Sequence, residues 1–87
     1  MPHCLIAYDI ASDRTRRKVA NLLSQEGTRL QRSVFLVTAS MTHLRRLENQ
    51  LLDLLCTEDS LLVIPCCEGC LAKASISGTE PPHELVA

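Results

Sequence analysis

Two segments with apolar residues at helical spacing alternate with short β-rich apolar runs, and this alternation constrains the fold more than any other feature of the chain. Between Arg14 and Gln25, Val19, Leu22 and Leu23 recur at helical spacing with Ala20 beside them. Arg14, Arg17 and Lys18 fall on the opposite face, and Arg16 sits at the edge of the apolar stripe. Ser12 or Asp13 caps this helix, and Gly27 ends it as helix-terminating glycines usually do. Leu44, Leu47, Leu51 and Leu54, widened by Leu55, mark a second helix capped by Ser40 or Thr42. Around these lie a buried strand over His3–Tyr8, a β-rich run from Arg29 to Thr38 that is one bent strand or two short ones, and a strand over Leu61–Pro65. Ala74–Ser77 is expected to add a short strand. Pro81 and Pro82 then break the chain before a terminal edge strand at His83–Ala87.

The resulting order, β-α-β(β)-α-β, is that of a ferredoxin-like α+β sandwich, with two helices on one face of an antiparallel sheet. Residues 1–78 form this domain, and 79–87 form a tail that supplies an edge strand. At 87 residues the chain is one small domain, of a size that buries only about 60% of its unfolded surface. The sheet face without helices needs a cover, and a homodimer packed sheet to sheet is the simplest one.

The net charge of −1 reads at first as evidence against a nucleic-acid partner. Position reverses that reading. Eight basic residues (Arg14, Arg16, Arg17, Lys18, Arg29, Arg32, Arg45 and Arg46) share their window with Glu26 alone, a formal +7. The remainder holds nine acids against Lys73, a formal −8. Such asymmetry is either an electrostatic footprint for a polyanion or a set of solvated helix faces. No apolar run approaches the roughly 18–20 residues of a membrane span, and no basic stretch precedes an apolar one at the N-terminus, so the expected location is the cytoplasm, with no membrane partner.

Five cysteines, at positions 4, 56, 66, 67 and 70, are an odd number without a secretory context, which argues against a disulfide framework. Cys67-Glu68-Gly69-Cys70 is a C-x-x-C with no second pair at zinc-ribbon spacing, and His3, His43 and His83 are scattered. Buried thiols and a reducible local pair are the expectation. A four-ligand zinc site within one chain has little support, and a site at Cys66, Cys67 and Cys70 completed by a second chain stays open.

Asp9 is the most informative single residue. A carboxylate directly after a buried strand is costly unless something pairs with it. Two readings are open: a capping or salt-bridged Asp with Arg16 in reach, or a ligand for a divalent cation. Mg²⁺ takes oxygen ligands and keeps several waters, often around one or two carboxylates and a phosphate. In a two-fold dimer, Asp9 and its mate could share one ion. Other constellations are missing. The three glycines form no phosphate loop, Ser33 has no His nearby in sequence, and Tyr8 and Phe35 are too few aromatics for an RNA-stacking sheet. Nucleic-acid binding would therefore rest on phosphate contacts.

Tyr8-Asp9-Ile10 at the end of the first strand, Arg16-x-Lys18-Val19, Gly27, Arg29-x-Gln31-x-Ser33-Val34-Phe35, Asp59-Ser60, and the Pro65 strand ending in Cys67-x-x-Cys70 occur in that order. Together they resemble the small CRISPR-associated spacer-acquisition protein, the second member of the universal Cas pair. The resemblance covers Leu5 to about Gly78, and Y-D-I with Q-x-S-V-F at this separation is its most specific part.

It implies a ferredoxin-like homodimer in which the C-terminal strand joins the partner's sheet. It implies that Asp9 binds metal at the dimer interface, and that Tyr8, Arg16, Arg29 and Phe35 serve nuclease activity beside it. Lys18 stands where some relatives carry Arg, keeping the charge but losing the bidentate fork. Two functions follow from the resemblance. One is a Mg²⁺-dependent endonuclease acting on single-stranded RNA or on DNA. The other is an adaptor that bridges dimers of the Cas-one integrase and lays Arg14, Arg17, Lys18, Arg29, Arg32, Arg45 and Arg46 along spacer DNA. The adaptor is the preferred reading. A toxin-type ribonuclease of the same fold is the alternative outside CRISPR.

Overall fold

The computed structural model describes residues 2–78; the 79–87 tail, with its expected edge strand, lies outside them. Strand β1 (His3–Asp9) leads to helix α1 (Asp13–Glu26), strands β2 (Gly27–Gln31) and β3 (Val34–Thr38), helix α2 (Met41–Leu54), strand β4 (Ser60–Cys66) and a short helix α3 (Glu68–Ala72). The four strands form one antiparallel sheet in the order β2-β3-β1-β4. This is the expected ferredoxin-like topology. Arg29–Thr38 resolves into two strands joined at Arg32-Ser33, with a register shift between Arg29 and Gln31.

The helix caps follow from side-chain chemistry. Ser12 Oγ accepts from the Thr15 backbone N–H, and Ser40 Oγ from that of His43, so each serine satisfies a donor that the first turn leaves free. Glu26 Oε2 meets His43 Nε2 at 2.5 Å, tying the end of α1 to the start of α2.

Gly27 departs from expectation. Its backbone is extended (φ −161°, ψ −157°) rather than left-handed, and it opens β2 directly. What requires glycine is proximity: a Cβ here would lie 2.1 Å from the Leu36 carbonyl oxygen.

Strand alternation divides the side chains between two clusters. On the helix side Cys4, Ile6, Tyr8, Phe35 and Val37 pack under Val19, Leu23, Leu47 and Leu51. On the other side Leu30 and Leu36 meet Leu71 of α3, with Leu5, Val34 and Ile76 around them. The second face is therefore partly covered within the chain, and Ala74–Ser77 is not a strand. It passes over this cluster and contributes Ile76. Among the described residues the β1–β4 half of that face stays open, with Leu62 55% and Ile64 43% exposed. Among the described residues, no helix is long and apolar enough to cross a membrane.

Candidate nucleic-acid and metal site

Alternation along β1 sends Asp9 to the face opposite Tyr8, beside the open patch of Ala7, Leu62 and Ile64. Its carboxylate is exposed, and among the described residues it has no ion-pair partner. Arg16 does not take that role. Its Nη1 donates to the Ile10 carbonyl oxygen at 2.9 Å, and its Nη2 pairs with Asp13. The salt-bridge reading of Asp9 is thereby removed. Arg16 instead fixes the β1–α1 connection that carries Asp9.

The neighbouring carboxylate, Asp59, is already committed. Oδ1 accepts from the Ala11 backbone N–H at 3.1 Å and Oδ2 from that of Cys56 at 2.9 Å, which clasps the two loops flanking the site. Among the described residues no three His, Cys, Asp or Glu side chains are grouped to hold a metal. Asp9 is thus a lone carboxylate, and among the described residues the cysteines form no three-ligand group for zinc.

Tyr8, Arg29 and Phe35 meet on the helix side. The Tyr8 and Phe35 rings stack with centroids 6.4 Å apart, and the Arg29 guanidinium carbon lies 5.5 Å from the Phe35 centroid. Arg29 Nη2 donates to the Arg32 carbonyl oxygen at 2.5 Å, and the Tyr8 hydroxyl approaches the same oxygen at 3.5 Å. Tyr8 N–H also donates to the Ser33 carbonyl oxygen at 3.1 Å, pinning the β2–β3 turn to β1 next to Asp9. Phe35 has no exposed surface, and its ring carries Arg29. Tyr8 is likewise buried and shapes the turn.

The basic residues fall into two groups rather than one strip. Arg14, Arg16, Arg17, Arg29 and Arg32 lie around the Asp9 end of the sheet, where β1 finishes, α1 starts and β2 turns into β3. Lys18 continues the exposed face of α1. Arg45 and Arg46 stand in the first turns of α2, at the far end, where Arg45 borders a small depression with Pro2, His3 and Met41.

The family model for the CRISPR-associated protein Cas2 matches residues 1–74. The chain belongs to the Cas2 family. It is 42% identical to a Synechocystis protein named CRISPR-associated endoribonuclease Cas2 3, over 94% of this chain and 95% of that one. A Thermus thermophilus protein named CRISPR-associated endonuclease Cas2 2 is 39% identical, with 92% of this chain and 86% of that protein covered. Among solved structures, a chain of a partial Cas6-RT-Cas1–Cas2 complex superposes with a TM-score of 0.79 at 26% identity, covering 97% of this chain and 99% of that one. These matches favour the CRISPR reading over the toxin-type ribonuclease. As a Cas2-family chain, the protein holds Tyr8-Asp9-Ile10 where β1 meets the β1–α1 loop, with the carboxylate turned toward the uncovered face.

Proposed function

We propose that the chain is a homodimeric spacer-acquisition protein of CRISPR immunity, working in the cytoplasm as an adaptor that bridges Cas1 integrase dimers and binds spacer DNA through its basic ends. The observation that carries the reading is the full-length likeness to a chain of a complex that also contains Cas1. The exposed Leu62 and Ile64 beside Asp9 support pairing through the open sheet face, because apolar patches of this kind mark interaction surfaces.

Metal-dependent cleavage of RNA or DNA is the second activity proposed, favoured by the names of the relatives. Two Asp9 carboxylates meeting across a two-fold would suit Mg²⁺, which retains waters and leaves room for phosphate. When bound there, the ion would supply charge neutralisation and an acidified water. Asp9 holds the site, Arg16 positions the loop that carries it, and Arg29 on its Phe35 seat orients a phosphate. Tyr8 keeps the β2–β3 turn in place. The adaptor role uses Arg14, Arg17, Lys18, Arg29, Arg32, Arg45 and Arg46 and does not need Asp9.

The test separates the two activities. With Cas1 and a spacer-length duplex, the Asp9→Ala chain is expected to assemble and support integration like wild type, while its Mg²⁺-dependent cleavage is lost. Loss of integration with cleavage retained would reverse the assignment. A wild-type chain that stays monomeric and binds neither Cas1 nor duplex would overturn the adaptor reading altogether.

A further inference from the structure

The Cys67-x-x-Cys70 motif is not used by either activity above, and its geometry is specific. Cys67 is the N-cap of α3, and the Cys70 backbone N–H donates to its Sγ at 3.3 Å. This hydrogen bond lowers the Cys67 pKa from its ordinary value, and the contact with Cys67 raises that of Cys70, so the two thiols are inequivalent. Both residues are exposed. The adjacent Cys66 is engaged differently, its thiol donating to the Ile64 carbonyl oxygen at 3.4 Å within its own strand. Cys4 is buried, and Cys56 lies in the α2–β4 connection.

We propose that Cys67 and Cys70 form a redox-active dithiol that closes to an intrachain disulfide by exchange with small-molecule disulfides, Cys67 attacking and Cys70 resolving. The Cys67 thiolate attacks one sulfur of the disulfide, forming a mixed disulfide and expelling one thiolate. The Cys70 thiol, losing its proton to solvent, then attacks the Cys67 sulfur and expels the second thiolate. Two protein thiols are oxidised and one small disulfide is reduced to two thiols. The thiolate is the reactive species, and an attacking Cys at an N-cap with a second Cys one turn later has its resolving partner already in place. The pair is mounted beside Leu71, the α3 residue that closes the Leu30–Leu36 cluster, so the bond would form on the element that lids the second sheet face.

The probe is oxidised glutathione, added to the reduced full-length protein at neutral pH. Glu68 lies between the two cysteines, so a Glu-specific protease separates them unless a disulfide joins the fragments. In a Cys66→Ser background the oxidised fragments are expected to stay joined and to part on reduction. Cys70→Ser is expected to accumulate a glutathione adduct at Cys67, and Cys67 is expected to alkylate with iodoacetamide several-fold faster than exposed Cys56. Fragments that separate without reductant in the Cys66→Ser protein would overturn the proposal. So would an adduct that Cys70→Ser traps only at Cys56 or Cys66, or equal alkylation of Cys67 and Cys56. Far-ultraviolet circular dichroism of each variant confirms that the comparison is made on folded protein.

Discussion

The Arg29 guanidinium carbon lies 5.5 Å from the centroid of the Phe35 ring, so a side chain with no exposed surface serves as the seat of an exposed cation. A cation over an aromatic face at an exposed site is stabilised by about 0.5–1 kcal/mol. The larger effect is on position, because Arg29 also donates to the Arg32 carbonyl oxygen and is held at the β2–β3 turn. Phe35→Ala is expected to cost about 3–5 kcal/mol through the cavity it leaves, a large share of the roughly 5–15 kcal/mol available to a domain. Phe35→Leu keeps the site apolar and is expected to remain folded in urea titrations while binding duplex DNA more weakly than wild type. Unchanged duplex affinity in the folded Phe35→Leu protein would show that the seat is not used.

Gly27 supplies the second prediction. Its extended backbone is open to any residue, so the cost of Gly27→Ala is steric and arises where Cβ would meet the Leu36 carbonyl oxygen at 2.1 Å and Val37 Cγ2 at 2.9 Å. Overpacking typically costs about 1–3 kcal/mol, and more where backbone must move. Gly27→Ala is expected at or above the top of that range by urea denaturation, with faster amide exchange along β2. A variant within about 0.5 kcal/mol of wild type would show that the β2–β3 pairing opens without penalty.

Cys4 makes stability depend on pH. Burial, with the Cys66 and Glu48 charges behind it, pushes the Cys4 thiol above its ordinary value of 9.0. The folded state then holds this proton more tightly than the unfolded chain does. The Cys4 contribution is constant below pH 9 and stability falls as pH rises from there toward the raised folded value. Cys4→Val, which cannot ionise, is expected to show a shallower decline above pH 9 than wild type when unfolding free energies are compared across that range. Parallel curves would mean that the thiol ionises as readily inside as outside.

Much of this arrangement is legible in the sequence, for physical reasons that also mark where legibility ends. The Leu44–Leu47–Leu51–Leu54 stripe is long enough to declare a helix, and Ser12 and Ser40 announce their caps because their hydroxyls satisfy first-turn donors. Helix α3 has no such signature. It is five residues with Gly69 inside and one buried apolar side chain, Leu71, and its place is set by Leu30 and Leu36 beneath it rather than by local preference. The distinction between Tyr8 and Asp9 was available: neighbours on a strand face opposite ways, so a ring packed with Cys4 and Ile6 cannot share a face with the next carboxylate. What one dimension hides is the division of the basic window. Arg29 and Arg32 return to the Asp9 end through the β2–β3 turn, while Arg45 and Arg46 begin a helix at the other end of the sheet.

That division yields the last prediction. If duplex DNA is held by phosphate contacts, the slope of log affinity against log salt changes by about 0.9 for each contact removed. Arg14→Ala with Arg17→Ala removes two exposed guanidinium groups at the Asp9 end and is expected to flatten the slope by about 2, with similar loss on unrelated duplex sequences. Arg45→Ala with Arg46→Ala tests the far end of the sheet on the same scale. Equal flattening by both pairs, measured by fluorescence anisotropy over a salt series, is the result expected of a duplex that spans the particle from end to end. A slope altered only by the Arg14 and Arg17 pair would confine the duplex to the end that carries Asp9, and a wild-type affinity insensitive to salt would exclude phosphate contacts as the basis of binding.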